Sequence, residues 1–191
     1  DYLSPQLYWR NSGPQSFSLL LQWWRAQGSR PVWPGIATSR INSSEDPGRP
    51  ASEITNQVQL SRTVGRNYAG HVHWSAKALM QNRGGVSSAL TKSYYTQPAL
   101  VPPMPWKSKK APPAPMASAQ RSGKGTQVAW KKLGGVAKYA VQARYGKHWV
   151  LAAVVSAGAS GVSLNGSPEA IAVSSVDRYG TTSSPTVLGR R

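Results

Sequence analysis

Apolar residues follow two rhythms along the chain. Up to about residue 100, short apolar runs alternate with segments of helical period; beyond residue 123, apolar and polar positions alternate one by one. In the first part, Leu3 to Trp9 (LSPQLYW) reads as a short strand ending in polar and aromatic groups. Pro5 cannot donate to a ladder and is expected near that strand's exit. Phe17, Leu20, Leu21 and Trp24, spaced i, i+3, i+4, i+7, predict an amphipathic helix with Ser16 as N-cap and Gly28 at its end. Val32 to Ile36 is a second strand, left through Ala37-Thr38-Ser39-Arg40. After a polar loop, Pro50 suits the first turn of a second helix, with Ile54 and Val58 on one face, running to about Thr63. A third strand, His71 to Trp74, turns through Ser75, Ala76 and Lys77, passes Gly84-Gly85, and leads to a helix around Val86 to Tyr95.

The order is β-α-β-α-β-α, which implies parallel strands joined by right-handed crossovers. A closed barrel needs eight such units. Three make either a small open sheet or the last part of a barrel, and the abrupt start on Asp1-Tyr2-Leu3 favours the second. Residues 107–122 (KSKKAPPAPMASAQRS) read as a semi-extended linker. From Gly123 onward, strands are expected at 127–131, 138–144, 149–155, 162–164, 170–177 and 186–188, separated by glycine turns. That spacing indicates a β-sandwich, with Trp130, Tyr139, Val141 and Val173 in its core. The fold class is therefore α/β plus all-β, divided as 1–106, a linker at 107–122, and 123–191.

Composition narrows the chemistry. The chain has 191 residues, 39% of them hydrophobic, and no cysteine, so disulfides and thiolate metal sites are excluded. No apolar run reaches the length of a membrane span. The net charge of +17 reads either as a polyanion partner or as a compositional bias towards arginine. The basic residues are dispersed, densest at Lys107, Lys109 and Lys110, without a basic helix stripe or a nucleic-acid motif. No specific nucleic-acid partner is expected.

Five segments carry a resemblance: DYLSPQLYW (1–9), VWPGIATSRI (32–41), EITNQVQLSR (53–62), GHVHWSAKALM (70–80) and YYTQPALVPPMPW (94–106). In this order and spacing they resemble the C-terminal part of the bacterial glycosyl-hydrolase-like family 10 domain, a TIM barrel. The region 123–191 resembles a fibronectin type III module, with AVSSVDRYGTTSSP (172–185) matching its last two strands. Glu169 and Ala170 stand early in the penultimate strand, so no tyrosine corner is expected. The resemblance implies hydrolysis of O-glycosyl bonds in a bacterial cell-wall or related polysaccharide. It further implies residence in the cell envelope, as a periplasmic or exported lipoprotein, with no cofactor.

Glycoside hydrolysis ordinarily uses two carboxyl groups flanking the scissile bond. Residues 1–106 hold four acids. Asp1 lies at the start of its strand, the wrong end for a barrel site. Glu53 sits in the first turn of a helix, where the macrodipole accounts for it. Glu45 and Asp46, in the loop after the second strand, are the weak catalytic candidates. No carboxylate stands at a strand exit, so the acid/base pair is expected outside this chain, and enzymatic competence is left open. The exits do hold binding chemistry: Gln6, Tyr8 and Trp9; Ser39; and Trp74, Ser75 and Lys77. Aromatic faces stack on sugar rings, and amides and hydroxyls bond sugar OH groups. Trp23, Trp24 and Trp33 are assigned to packing. His71 and His73 share a face, but without cysteines and with few acids no metal site is expected. The alternative function is a non-catalytic binding module for carbohydrate or an anionic wall polymer.

Overall fold

The computed structural model describes residues 1–65 and 69–189. The chain forms two compact units, Asp1–Thr96 and Gln97–Arg191.

The first unit is built on a narrow parallel sheet. Leu3 and Gln6 bridge in parallel to Val32 and Gly35, and β1 (Gly35–Ile36) pairs in parallel with β2 (Val72–His73). The first predicted strand is therefore reduced to isolated bridges. Pro5 stands between them rather than at the exit, offering its carbonyl to the Gly35 N–H at 2.8 Å. Helix α1 (Phe17–Ala26) starts as expected: the Ser16 hydroxyl accepts from Leu19 N, and Phe17 and Leu21 are buried. Helix α2 (Ala51–Gly65) follows Pro50 directly and buries Ile54 and Val58. The turn expected after Trp74 is instead a short helix, α3 (Ala76–Met80), and α4 (Val86–Ser93) follows a tight 3-10 turn at 83–85.

Helices cover one face of this sheet. Leu7, Val32 and Ile36 pack with Phe17, Leu21, Ile54, Val58, Val86 and Leu90 into one buried cluster. Side chains alternate along a strand, so the neighbours of these residues face the other way. On that second face Val72 is 41% exposed, and Gly35 lies against the Tyr8 ring and the Gln6 backbone. Trp33 is not packed into the helical core as predicted; it stacks on Tyr2 at 4.1 Å between ring centroids. Gly70 is what allows the chain to pass this stack, since a Cβ there would come within 2.6 Å of the Trp33 ring. Trp23 also departs from its packing assignment, being 55% exposed on α1 with an edge contact to Trp24.

The second unit is a two-sheet β fold. Strands β3 (Ala117–Ser122), β4 (Gly125–Trp130) and β7 (Gly161–Asn165) form one antiparallel sheet. Strands β6 (His148–Ser156), β5 (Lys138–Tyr145), β8 (Ala170–Val176) and β9 (Thr186–Gly189) form the other, in that order. Val128, Trp130 and Leu164 from the first sheet meet Tyr139, Val141, Ala143, Ile171 and Val173 from the second in one core. All four predicted core residues are in it. One correction concerns 107–122: its last six residues are not linker but β3, hydrogen-bonded along β4 from Ala117–Trp130 to Ser122–Gly125. The segment is polar on both faces because it is an edge strand with little to bury. The run before it is also anchored, because Ser175 and Thr186 donate to the Pro113 and Pro115 carbonyls at 2.5 Å.

Candidate functional site

The C-terminal ends of the three parallel segments lie side by side because their backbones are tied there. Trp74 N donates to Ile36 O at 2.8 Å, and Ser39 N donates to Trp74 O at 2.7 Å. The first segment is tied by Leu7 N, which donates to Gly35 O at 3.0 Å, and beyond Leu7 by side chains. The Tyr8 carbonyl accepts from Arg49 Nη2 at 2.9 Å and Arg40 Nη1 at 3.1 Å. Gln57 Nε2 donates to the Trp9 carbonyl at 2.9 Å. This rim presents Trp9 and Trp74, which are 46% and 58% exposed. Gln6 and Lys77 are exposed, while Tyr8, Ser39 and Ser75 are half-buried. Ser39 and Trp74 are joined directly by the backbone bond. Lys77 lies on α3, and Ser75 occupies that helix's N-cap position without a side-chain capping bond. Burial raises the Tyr8 hydroxyl above its usual pKa, opposed by Arg40, whose guanidinium lies 5.9 Å from the ring centre.

The two weak carboxylate candidates are occupied. Asp46 accepts from Arg10 at 2.6 and 2.9 Å on one oxygen and from Arg49 at 2.6 Å on the other. The Arg10 hydrogen bond, reinforced by Arg49 and opposed by partial burial, holds its carboxyl below the usual range. An acid held ionised in this way is a poor proton donor. Its geometry is that of a strut: Arg49, 1% exposed, joins Asp46 to the Tyr8 and Ala37 carbonyls. Glu45 is 72% exposed and faces Arg40 at 3.5 Å. Glu53 accepts from Asn11 N and Gln57 Nε2, so it anchors the start of α2.

Sequence reasoning missed a second cluster. His71 Nε2 and His73 Nε2 both contact the Tyr95 hydroxyl, at 2.5 and 2.8 Å. His73 Nδ1 lies 2.7 Å from the Thr38 hydroxyl. His73 pairs with Ile36 and so lies on the helix-facing side, opposite Val72. The His-x-His spacing was the available signal; Tyr95, more than 20 residues away, was not readable as its partner. Burial depresses both imidazoles to a pKa of about 4, His71 with added repulsion from His73 and Arg62. Burial likewise lifts the Tyr95 phenol to about 12, against Arg62. With both rings neutral, two proton arrangements are open. One has His71 donating to Tyr95, Tyr95 to His73, His73 to Thr38, and Thr38 towards Ile36 O at 3.5 Å. It leaves only a bare nitrogen at His71 Nδ1, which is buried without a partner. The reverse arrangement would strand an N–H there, and buried orphan N–H groups are the rarer case. The first arrangement is therefore the favoured one.

The second unit has a groove of about 720 Å³ between edge strands β3 and β9, lined by Gln120, Thr126, Glu169 and Leu188 among others. It contains none of the sequence-predicted residues and no aromatic wall, so it offers sugars no stacking surface. Among the described residues, no helix is long and apolar enough to cross a membrane.

No family model matches the chain. Over 120 residues, 60% of its length, it is 35% identical to the glycosyl hydrolase YngK of Bacillus subtilis (strain 168). The match spans 23% of that protein, so the chain corresponds to about a quarter of it. Among solved structures, the glycoside hydrolase domain of Endo-D from Streptococcus pneumoniae R6 is 18% identical, with a TM-score of 0.38, over 42% of this chain and 15% of that one. The spore cortex lytic enzyme SleM of Clostridium perfringens is 13% identical, with a TM-score of 0.36, over 90% and 72%. A fibronectin type III domain of human collagen XX is 17% identical, with a TM-score of 0.31, over 44% and 99%. The chain is thus similar over part of its length to a glycosyl hydrolase.

Proposed function

We propose that the chain is a substrate-holding part of a glycoside hydrolase acting on bacterial cell-wall glycan or a related polysaccharide in the cell envelope. In this reading the first unit forms the last βα units of a family 10-like barrel, and the second is a fibronectin type III-like module. The observation that carries it is the rim: three parallel segments end together, covered by helices on one face, with Trp9 and Trp74 exposed at their exits. Ligand sites of α/β folds lie at that end of the strands. The partial identity to a glycosyl hydrolase supports the chemistry. The three-plus-four strand order of the second unit supports the module assignment. Trp9, Trp74 and Tyr8 form the sugar-facing walls, and Gln6, Ser39, Ser75 and Lys77 supply polar contacts. Asp46 and Glu45, both engaged by arginines, are not the acid/base pair, and the carboxylates that cut the bond lie outside this chain.

A second reading, binding to an anionic wall polymer by charge, is favoured by the net charge of +17. Incubation with purified peptidoglycan separates the two. The first reading predicts that the chain stays in the pellet as salt is raised from physiological to molar, and that no new reducing ends appear. Release by salt would favour the charge reading, because screening weakens contacts to carboxylate or phosphate. Steady production of reducing ends would place the catalytic pair inside this chain and contradict its assignment elsewhere.

A further inference from the structure

The His71–His73–Tyr95 cluster takes no part in the proposed glycan rim. Two imidazole Nε2 atoms converge on one phenolic oxygen, at 2.5 and 2.8 Å, so that three donor atoms lie together. The rings stand nearly perpendicular, at 86°, with centroids 5.0 Å apart. Their nitrogens therefore aim at that oxygen from different directions. We propose that His71 Nε2, His73 Nε2 and the Tyr95 oxygen form a binding site for a divalent d-block cation, Cu2+ or Zn2+, on the helix-facing side of β2.

The donor set suits these ions, since imidazole nitrogen is the ligand that copper and zinc share and Cu2+ stands highest in the affinity order. Zinc–nitrogen bonds of about 2.1 Å in tetrahedral geometry place neighbouring donor atoms about 3.4 Å apart. Tyr95 has only to withdraw by less than about 1 Å from each imidazole to open that space. Its backbone N–H is held by the Leu90 carbonyl at 2.8 Å just beyond the end of α4, so the movement asked for is one of the side chain alone. Metal-bound histidines hand their other ring nitrogen to a fixed acceptor; His73 Nδ1 has one in Thr38, which is fully buried, whereas binding at His71 Nε2 moves that ring's proton to Nδ1, which has no protein partner and sets a cost against the metal–nitrogen bond. Neutral imidazole is the ligating form. Arg62 lies 5.8 Å from the Tyr95 ring centre and disfavours the free cation's charge. The ion therefore binds as the cation–tyrosinate pair, in which the phenolic proton leaves to solvent and the tyrosinate offsets one positive charge. A water molecule would complete four-coordination.

The test is a titration of the full chain, carrying no histidine tag, with Cu2+ and separately Zn2+, followed by calorimetry, visible absorption and electron paramagnetic resonance. The site predicts one ion per chain, two coupled imidazole nitrogens on Cu2+, and a tyrosinate-to-copper charge-transfer band. His71→Gln and His73→Gln should each weaken binding by about tenfold or more, Thr38→Val by about tenfold, and His148→Gln not at all. Tyr95→Phe should abolish the visible band. Because a histidine variant can fail to fold, the wild type supplies an independent arm. Zn2+ should protect His71 and His73, but not His148, from carbethoxylation. Binding that depends on His148, shows one nitrogen, or leaves His71 and His73 unprotected would overturn the proposal.

Discussion

Arg49→Leu should unfold the first unit at markedly lower denaturant than the wild type while leaving the second unit's transition in place. The Arg49 side chain is 1% exposed and bonds Asp46 Oδ2 at 2.6 Å and the Tyr8 carbonyl at 2.9 Å. Leucine fills much of the volume but leaves the Tyr8 and Ala37 carbonyls and one Asp46 oxygen without this partner. Removing one member of a buried ion pair costs about 3–5 kcal/mol. Asp46 keeps Arg10, and its side chain is 17% exposed, so the lower end, about 3 kcal/mol, is expected. Against a total stability of about 5–15 kcal/mol, that is a large fraction. Glu45→Gln, which breaks an exposed pair at 3.5 Å, should change stability by less than about 1 kcal/mol. Peptide-resolved hydrogen exchange in denaturant reads each unit separately. Equal effects of the two substitutions would show that the buried strut does not support the rim.

Acidification from pH 7 to pH 4 should weaken the first unit as strongly. The folded imidazoles of His71 and His73 have pKa values near 4, lowered chiefly by burial. In the unfolded chain they titrate near 6.5. Between those values the unfolded chain takes up protons that the folded chain refuses, so stability falls as pH falls. The contribution is fully present above about pH 7, and its loss is complete below about pH 4, at up to about 3 kcal/mol for each imidazole. The charged groups facing the pair reinforce the direction. Arg62 repels an imidazolium, and Tyr95 is a neutral phenol throughout this range. Asp46, held below its usual pKa, adds a further loss in still stronger acid. Denaturant midpoints measured at intervals across this range check the prediction. The double variant His71→Gln/His73→Gln should flatten the profile between pH 6.5 and 4. A wild-type profile already flat there would mean that the imidazoles reach water on protonation.

The sequence pattern was most legible where local physics decides. The apolar spacing of α1, its Ser16 cap and the Pro50 start of α2 depend on neighbours within a turn, and each stands where the pattern put it. The alternating residues of β4 likewise announce its inner face, as do Tyr139, Val141 and Ala143 in β5. Helix α3 was missed because Ser75-Ala76-Lys77 was read as a turn, although Ala76 to Met80 are all good helix formers. The strand β3 was missed because an edge strand with polar residues on both faces has no periodic signature.

The candidate rim was only half legible. Its aromatic members follow from strand exits, and Trp9 and Trp74 are exposed where exits predict. What holds the rim together was invisible. Arg10 and Asp46 are 36 residues apart, and Tyr8 and Arg49 are 41 apart. No spacing rule reports that an arginine will be buried, since arginines are normally exposed unless paired. Asp46 was singled out as a possible catalytic group because its loop follows a strand, and only its two arginines reveal the structural role. The Tyr95 partnership was hidden for the same reason: its contacts depend on tertiary packing at the end of α4.

If exposed aromatic residues at the strand exits hold a glycan, Trp74 is the one whose loss should be felt most directly. A calorimetric titration with soluble peptidoglycan glycan-strand oligosaccharides at physiological salt should compare wild type, Trp74→Ala and Trp23→Ala. Trp74 and Trp23 are similarly exposed, at 58% and 55%, but Trp23 lies on α1 away from the strand exits. The wild type should bind, Trp74→Ala should lose at least about tenfold in affinity, equivalent to about 1.4 kcal/mol, and Trp23→Ala should be unchanged. Equal affinities for all three proteins, or an equal loss in both variants, would contradict that role of the strand exits.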